Sequence, residues 1–282
     1  MIRPVLILDR THAALEGDVL EHFALDELLC RYTGEGGPAV CHLWRHAGSF
    51  VMGSRDSRLP QTGTAVRALH ASGIDAVVRH SGGAAVPLDA GVINVSLILP
   101  IPGVSHRQNF RQDFQRMVSL IQRAVVQACR AAGAEEAEVA AGEIEGAFCP
   151  GDYDLSVGGR KFCGIAQRRQ RKAFIIQAFV IVEGSGSARA RLVRSFYYTA
   201  AAGADPGQYP LVIPEYTASL EELTGLGSGK AAIARFIEGV KQVISAENAE
   251  QVTNADAVEL ILADKARIKE TAAKLRQRYE LP

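Results

Sequence analysis

The feature that most constrains the fold is an apolar stripe of helical period between two strand-like blocks. Apolar residues recur every three or four positions, at Phe110, Phe114, Met117, Ile121, Val125 and Ala128. This period predicts an amphipathic helix, and Gly133 just beyond it suits a left-handed helix cap. Residues 91–99 and 174–182 are strand-like, and the second run is apolar enough to be buried on both faces. Helices arranged around a mixed sheet predict an α+β domain.

Shorter patterns divide the rest of the chain. Helices are predicted over residues 17–30, 63–71, 231–244 and 256–279, and strands over residues 39–44, 49–52 and 75–79. Ser185 is the predicted N-cap of a further helix. Gly158 and Gly159 separate two short strand-like runs and are the usual signal for a two-residue β-hairpin. The hairpin therefore places the residues on either side of the two glycines next to each other.

The composition excludes several functional classes. Hydrophobic residues make up 48% of the 282 positions, which is enough for a packed core and argues against disorder. The 31 basic and 31 acidic residues balance, so neither a nucleic acid nor a membrane surface is an expected partner. No segment is long and apolar enough for a signal peptide or a membrane span. We therefore expect a cytoplasmic protein.

Most of the thiols and the histidines do not indicate chemistry. The five cysteines lack the paired spacing of a zinc site and the density of a disulfide framework. Cys30, Cys41 and Cys129 lie within apolar elements and are interpreted as core residues. Cys163 alternates with Lys161 on a predicted strand, and its role is left open. The seven histidines show no HExxH spacing, so no metal site is expected.

Cys149 is the strongest candidate for chemistry. Pro150 and Gly151 follow it, so it is expected in a loop that a substrate can reach. Lys161 comes twelve residues later on the predicted hairpin, and a nearby ammonium favours the reactive thiolate. From the residues alone, Cys149 could equally be a structural thiol and Lys161 a solvated strand residue. If the two side chains meet, they predict covalent acyl chemistry on a cysteine.

A glycine-containing loop is the second candidate. Gly82 and Gly83 follow the predicted strand that ends near Arg79, and such a turn lets the backbone approach a ligand closely. The loop lacks the Gly-Lys-Ser/Thr of a phosphate-binding loop, and neither GxGxxG nor GxSxG is present. The loop alone therefore does not indicate a nucleotide.

Several motifs resemble the lipoate–biotin ligase and octanoyltransferase superfamily. They lie at residues 44–46, 51–55, 78–86, 89–96 and 159–168. The run from Phe148 to Ser156 reads Phe-Cys-Pro-Gly-Asp-Tyr-Asp-Leu-Ser. It resembles one branch, the octanoyl-[glycine cleavage H protein]:protein N-octanoyltransferases of the LipL family. The resemblance covers most of the chain, from about residue 23 to about residue 223.

The resemblance implies a fold and a set of site residues. The fold is that of the biotin/lipoate protein ligase (BPL/LPL) catalytic domain, a mixed β-sheet flanked by helices. One such domain is expected over residues 1–282, with its core at about 23–223 and a helical C-terminal extension at about 224–282. Cys149 matches the acyl-thioester nucleophile, and Lys161 matches the lysine whose charge makes that thiol more acidic. The expected acyl-binding residues are Arg79, Ser81, Gly82, Gly83, Val86, Asn94, Gly164, Ala166 and Gln167.

The implied activity is transfer of an octanoyl group in protein lipoylation. The donor would be the glycine cleavage H protein, and the acceptor a lysine of the lipoyl domains of 2-oxoacid dehydrogenase complexes. Ala84 stands where ATP-dependent ligases have a third glycine, and Leu88 where they have a histidine. These departures argue against adenylate chemistry, so neither ATP nor a metal ion is expected as a cofactor. Three alternatives stay open: an octanoyl-acyl-carrier-protein transferase, an ATP-dependent lipoate ligase, and a non-catalytic acyl-binding protein.

Overall fold

The strands form two sheets. The computed structural model describes residues 5–12, 16–101, 110–205, 207–247, 258–259, 261–262 and 264–278. The strands within them are β1 (Val5–Asp9), β2 (Ala39–Trp44), β3 (Gly48–Met52), β4 (Asp75–Val78), β5 (Val86–Asp89), β6 (Val92–Pro100), β7 (Ala140–Ala141), β8 (Leu155–Val157), β9 (Arg160–Arg169) and β10 (Ala173–Ile181). The larger sheet has the order β1-β2-β6-β10-β9-β8-β7, and the smaller one the order β4-β3-β5.

Both sheets are mixed. In the larger sheet β1 runs parallel to β2, and the remaining neighbours are antiparallel. In the smaller sheet β3 is parallel to β4 and antiparallel to β5. The prediction of an α+β fold with a mixed sheet is confirmed. The division into two sheets was not predicted, because a strand's sequence does not reveal its neighbours.

Helices cover both faces of the larger sheet. They are α1 (Leu20–Gly34), α2 (Thr62–Ala71), α3 (Phe110–Ala131), α4 (Gly186–Ala200), α5 (Leu220–Leu223), α6 (Gly229–Glu247) and α7 (Lys265–Arg278). The pair α3 and α6 packs in one apolar core, and the pair α1 and α7 in the other. Alternate residues of β10 belong to these two cores, so every residue of the strand is buried, as its apolar run predicts.

The predicted amphipathic helix is α3. It buries Met117, Ile121 and Val125, whose spacing places them on one face. Phe110 does not belong to this buried stripe: it is 49% exposed, at the first residue of the helix, and the guanidinium of Arg169 lies over its ring. Gly133 has a φ of +68°, which confirms the predicted left-handed cap.

The other predicted elements are present with shifted boundaries. Helix α1 begins at Leu20 rather than at residue 17, and Asp18 just before it accepts a hydrogen bond from the backbone N–H of Leu20 at 2.9 Å. Ser185 is the predicted N-cap of α4, and its Oγ accepts from the N–H of Ala188 at 3.3 Å. Of the helix predicted over residues 256–279, residues 265–278 are helical. Residues 256–257, 260, 263 and 279 lie outside the described residues.

The hairpin between β8 and β9 positions the site. Gly158 and Gly159 have φ values of +57° and +74°, the left-handed pair that a tight two-residue turn requires. This turn brings Lys161 on β9 beside β8, just after the loop that carries Cys149. Among the described helices, none combines the length and the apolar character needed to cross a membrane.

Candidate active site

A cavity of about 400 Å³ opens where the glycine loop, the loop before β8 and strands β9 and β10 meet. Cys149 and Lys161 both line it. Most of the remaining wall is apolar, and much of it is aromatic. The apolar wall includes Val86, Pro87, Val92, Phe114, Phe148, Tyr153, Phe162, Ile165, Phe179 and Ile181. A largely apolar cleft with a few convergent polar groups is typical of a small-molecule or acyl site.

Cys149 has an unusual backbone conformation. Its φ is +49°, and no other residue except glycine has a positive φ in the described part of the chain. Such a conformation is costly for a residue with a Cβ and persists only where surrounding contacts hold it. The ammonium of Lys161 provides those contacts, donating hydrogen bonds to the carbonyls of Phe148 at 2.9 Å and Cys149 at 2.6 Å. Lys161 therefore fixes the turn that presents the thiol.

The Cys149 sulfur lies among hydrogen-bond donors of the glycine loop. Its Sγ accepts from the backbone N–H of Ala84 at 3.1 Å and from Nη2 of Arg79 at 3.5 Å. The sequence predicts Lys161 as the charge beside the sulfur, but the hydrogen bonds of Lys161 go to backbone carbonyls and a carboxylate. The effect of Lys161 on the acidity of the thiol stays a prediction. The cation in direct contact with the sulfur is Arg79.

Asp154 is the counter-ion of Lys161. Its Oδ2 lies 2.7 Å from Nζ of Lys161 and accepts a hydrogen bond from the N–H of Gly151 at 3.0 Å. Both side chains of the pair are almost fully buried. Burial raises the pKa of the Asp154 carboxyl to about 6, although the ammonium and the backbone donor act in the opposite direction. The pair therefore contains a carboxyl that can change charge near neutral pH.

Gly83 fits a space that no side chain could occupy. Its φ is +98°, and a Cβ built on it would lie 2.5 Å from Nη2 of Arg79 and 2.9 Å from Sγ of Cys149. The loop also approaches Gly53 closely, where a Cβ would lie 2.0 Å from the carbonyl oxygen of Gly83. The predicted close approach of this loop to a ligand stays a prediction; within the protein, the loop packs closely against Gly53, Arg79 and Cys149.

A buried polar network behind the loop supports it. The hydroxyl of Tyr197 donates to Oδ1 of Asp56 at 2.9 Å and accepts from the N–H of Ala85 at 3.1 Å. The other carboxylate oxygen of Asp56 accepts from the N–H of Gly53 at 2.8 Å. The network therefore anchors the residue next to Ala84, whose N–H contacts the sulfur. Sequence reasoning missed it, because Asp56 and Tyr197 are distant in the chain and belong to no motif.

Most of the predicted acyl-binding residues line the cavity, and two do not. The lining ones are Arg79, Gly82, Gly83, Val86, Gly164, Ala166 and Gln167. Ser81 is buried outside this lining, and Asn94 is buried with its amide directed to the carbonyl of Trp44 at 3.4 Å. Phe114 and Tyr153, which stack with ring centroids 4.4 Å apart, line the cavity instead. The sequence places Phe114 in the amphipathic stripe of α3, and this pattern predicts a core residue rather than a site residue.

The other four cysteines are buried, and Cys149 alone among the five is partly exposed. Burial raises the pKa of the Cys41 thiol to about 12, and that of the Cys163 thiol further. The interpretation of Cys30, Cys41 and Cys129 as core residues is confirmed. Cys163 lines the cavity but is 1% exposed. Within the described residues, no three His, Cys, Asp or Glu side chains come together as a metal-binding group.

Comparison with known proteins assigns the family. The lipoyl protein ligase A/B catalytic domain model matches residues 18–245. The chain belongs to this family. Among curated relatives, an octanoyl-[GcvH]:protein N-octanoyltransferase of Exiguobacterium sibiricum is 42% identical over 219 residues, covering 77% of this chain and 76% of the relative. A protein of the same name from Geobacillus kaustophilus is 40% identical, covering 78% and 75%.

Solved structures of lipoate protein ligases share the fold. Lipoate-protein ligase A bound with ATP aligns with a TM-score of 0.61 at 18% identity, covering all of this chain and 97% of that one. A bipartite lipoate protein ligase from Thermoplasma acidophilum aligns with a TM-score of 0.54 at 17% identity, covering 99% and 94%. The predicted family, fold and enzyme class, an acyltransferase, are confirmed.

Proposed function

We propose that this chain moves an octanoyl group between lysine amines of two proteins through a thioester on Cys149. The donor is the glycine cleavage H protein, which the names of the relatives specify for those enzymes. The acceptor is the target lysine of a lipoyl domain. The observation that carries the proposal is a partly exposed thiol at an apolar cavity, with its sulfur held by two donors of the glycine loop. Its five unpaired thiols suit the reducing cytoplasm.

The cavity suits a saturated chain of eight carbons. Phe179, Val92 and Ile181 contribute apolar surface to its wall. Burial of each methylene contributes roughly 0.8 kcal/mol, so an octanoyl chain gains about 5 kcal/mol from the cavity. Binding of the chain in the cavity holds the donor carbonyl next to the sulfur, so that the attack takes place within one complex and needs no separate bimolecular encounter. A non-catalytic acyl-binding protein would need the same walls, but not a strained loop that presents a thiol.

The reaction proceeds in two balanced halves. The Cys149 thiolate attacks the amide carbonyl of the donor, forming a C–S bond and a tetrahedral oxyanion. Collapse of the oxyanion breaks the C–N bond, and the leaving lysine amine takes a proton from the Lys161–Asp154 pair at the cavity wall. The acceptor amine then attacks the thioester, gives its proton back to the pair and expels the thiolate. The exchange of one lysine amide for another is close to thermoneutral, so no ATP is required.

The test is transfer between purified proteins. Octanoylated H protein and an unmodified lipoyl domain are incubated with the enzyme without ATP or Mg²⁺, and a gel shift follows both carriers. We expect complete dependence on the enzyme, and transfer in the reverse direction when the modified lipoyl domain is the donor. Octanoyl-acyl-carrier protein is the matched alternative donor. Transfer from that donor alone, or a strict requirement for ATP, contradicts the proposal.

The Asp154 carboxyl predicts a pH dependence. As the pH falls from 7 to 5, Asp154 gains a proton and releases Lys161, so we expect a rate loss of roughly three- to tenfold with a midpoint near the pKa of about 6. Because the folded-state pKa lies above the unfolded value of about 3.9, the carboxyl's contribution to the free energy of unfolding falls as the pH rises from about 4 to about 6. Unfolding driven by Asp154 therefore cannot cause the loss at low pH.

The measurement is the transfer rate against pH for the wild type and for Asp154→Asn, with the unfolding midpoint followed in parallel. The variant cannot titrate at this position, so its rate should lack the step between pH 7 and pH 5. An identical step in both proteins would assign the titration to another group.

A further inference from the structure

We propose that Arg79 is a catalytic residue: its guanidinium holds the Cys149 thiolate through Nη2 and the oxygen of the reacting acyl group through Nη1. The inference deepens the proposed function and rests on Cys149 as nucleophile. It assigns to Arg79 the anion-stabilising role that sequence reasoning gives to Lys161. It also assigns the acyl oxygen as a partner to Nη1, which has no hydrogen-bond partner among the described residues.

Contacts on three sides fix the guanidinium. Nε donates to the carbonyl of Gly82 at 3.1 Å, and Nη2 donates to the carbonyl of Ala84 at 2.7 Å. The ring of Phe179 lies below it, with the guanidinium carbon 5.3 Å from the ring centroid. Arg79 is 1% exposed, so its charge lies in a site from which water is largely excluded. The group is rigid, and it points one edge at the sulfur.

The unsatisfied part of Arg79 indicates a ligand. Among the described residues, Nη1 is buried without a hydrogen-bond partner, and the carboxylate of Asp56 interacts with this guanidinium electrostatically without forming a direct ion pair. A buried cation without a directly bound counter-ion is costly, so its retention beside a cavity suggests an anion that arrives or forms there. The reaction generates two such anions, the thiolate and the tetrahedral oxyanion, on adjacent atoms. A planar fork of donors matches adjacent acceptors.

The proposed role acts in both halves of the transfer. In each half the acyl carbon bears sulfur, nitrogen and an oxyanion at once, and the electron pair on oxygen returns to expel either the amine or the thiolate. A preorganised donor aimed at that oxygen stabilises the transition state more than the planar carbonyl. Arg79 gives up no proton, because a guanidinium stays charged. Proton transfer remains with the Lys161–Asp154 pair.

The experiment compares Arg79→Ala and Arg79→Lys with wild type. The control is Arg189→Lys, which alters another buried arginine that is paired with Asp89 outside the cavity. Intact mass measures single-turnover octanoylation of Cys149 by octanoylated H protein, and iodoacetamide measures thiolate reactivity without any acyl donor. For Arg79→Ala we expect a loss of about 10²- to 10³-fold in octanoylation and roughly tenfold in alkylation.

Added methylguanidine should restore both rates in Arg79→Ala, whereas methylammonium should not; a purely structural role predicts no such selective rescue. If the alanine variant does not fold, Arg79→Lys decides, with an expected octanoylation loss of roughly tenfold, because an ammonium lacks the fork. Wild-type rates in a folded Arg79 variant, or equal losses in Arg189→Lys, overturn the proposal. A third outcome would overturn the proposed function alone: the wild type accepts no octanoyl group, but Cys149 is still alkylated more slowly in the Arg79 variants than in the wild type.

A second observation concerns exposed apolar residues next to the cavity. Leu211, Ile213 and Tyr216 are 77%, 38% and 43% exposed, although all three are large and apolar. They form one wall of a groove of about 400 Å³ whose other residues include Glu143, Glu145 and Pro150. Pro150 also lines the active-site cavity, so the groove adjoins the cavity that Cys149 lines.

We infer that this groove binds the acceptor protein around its unmodified lysine. The apolar wall provides buried contact area, and the two exposed carboxylates attract the ammonium of a free lysine. An octanoylated lysine carries no charge, so the carboxylates favour the acceptor over the donor. The groove is firmly built, because the N–H of Ile213 donates to the carbonyl of Gly146 at 2.7 Å and Ala218 donates to that of Lys161 at 2.9 Å.

The test is Leu211→Ser and, separately, Glu145→Gln, with Tyr198→Ser as the control for an apolar residue that is 88% exposed elsewhere. We expect the KM for the lipoyl domain to rise roughly tenfold in the groove variants, with iodoacetamide alkylation of Cys149 and the rate of Cys149 octanoylation unchanged. An unchanged KM overturns the docking site. If the groove variants raised the KM for the H protein and for the lipoyl domain equally, the groove would bind both proteins, and this result would also overturn the acceptor assignment. Absence of transfer by the wild type would instead overturn the proposed function.

Discussion

Cys149→Ala is expected to lose acyl transfer by at least about 10³-fold, because removal of a nucleophile leaves only binding and positioning. The wild-type enzyme, mixed with octanoylated H protein, should gain the mass of one octanoyl group. Hydroxylamine should remove that group, since it cleaves a thioester and leaves an amide intact. Intact mass followed by peptide mapping should place the modification on Cys149, the partly exposed thiol of the five.

The matched control is Cys129→Ala, which removes a thiol that is buried in α3 outside the cavity. This variant should transfer octanoyl at close to the wild-type rate, since Cys129 does not line the cavity. Cys163 provides the sharper comparison, because it lines the same cavity but is buried. An acyl group found on Cys163, or full transfer by Cys149→Ala, would show that the assigned nucleophile is wrong.

Local patterns in the sequence predicted the parts of the fold that depend on neighbours in the chain. The stripe of α3, the cap at Gly133 and the glycine turn before Lys161 each follow from periodicity or from allowed backbone angles. The hairpin also predicts correctly that Lys161 reaches the loop of Cys149, because twelve residues and one tight turn leave few alternatives. The strained φ of Cys149 is not readable in this way, because the contacts of Lys161 impose it.

Contacts between distant segments could not be predicted from the same patterns. Arg79 reaches the sulfur across 70 positions of the chain, and Asp56 reaches Tyr197 across 141. Neither pair has a characteristic spacing, since both join segments that only the tertiary fold brings together. Asn94 shows the opposite error: its motif suggested the acyl site, but its side chain lies outside the cavity lining. A shared motif locates a segment at a site more reliably than it locates each side chain.

Gly83→Ala is expected to lose about 10²-fold in single-turnover octanoylation, because it displaces two groups that must meet the reacting carbon. The new Cβ would lie 2.5 Å from Nη2 of Arg79 and 2.9 Å from Sγ of Cys149, distances at which one of them has to move. The φ of +98° adds strain, so the free energy of unfolding should also fall by about 1–3 kcal/mol. Urea unfolding measures the second effect separately from the first.

Gly82→Ala is the matched control, because a Cβ at this neighbouring glycine meets nothing within 4 Å and its φ is not positive. Any loss in Gly82→Ala should therefore be at most about threefold, with little change in unfolding. Iodoacetamide then separates two causes within Gly83→Ala. If displacement of Arg79 dominates, alkylation of Cys149 slows together with octanoylation, whereas blocked access of the acyl carbonyl slows octanoylation alone. Equal rates in Gly83→Ala and Gly82→Ala would mean that the loop can shift without cost, and that its contact with the sulfur does not control the chemistry.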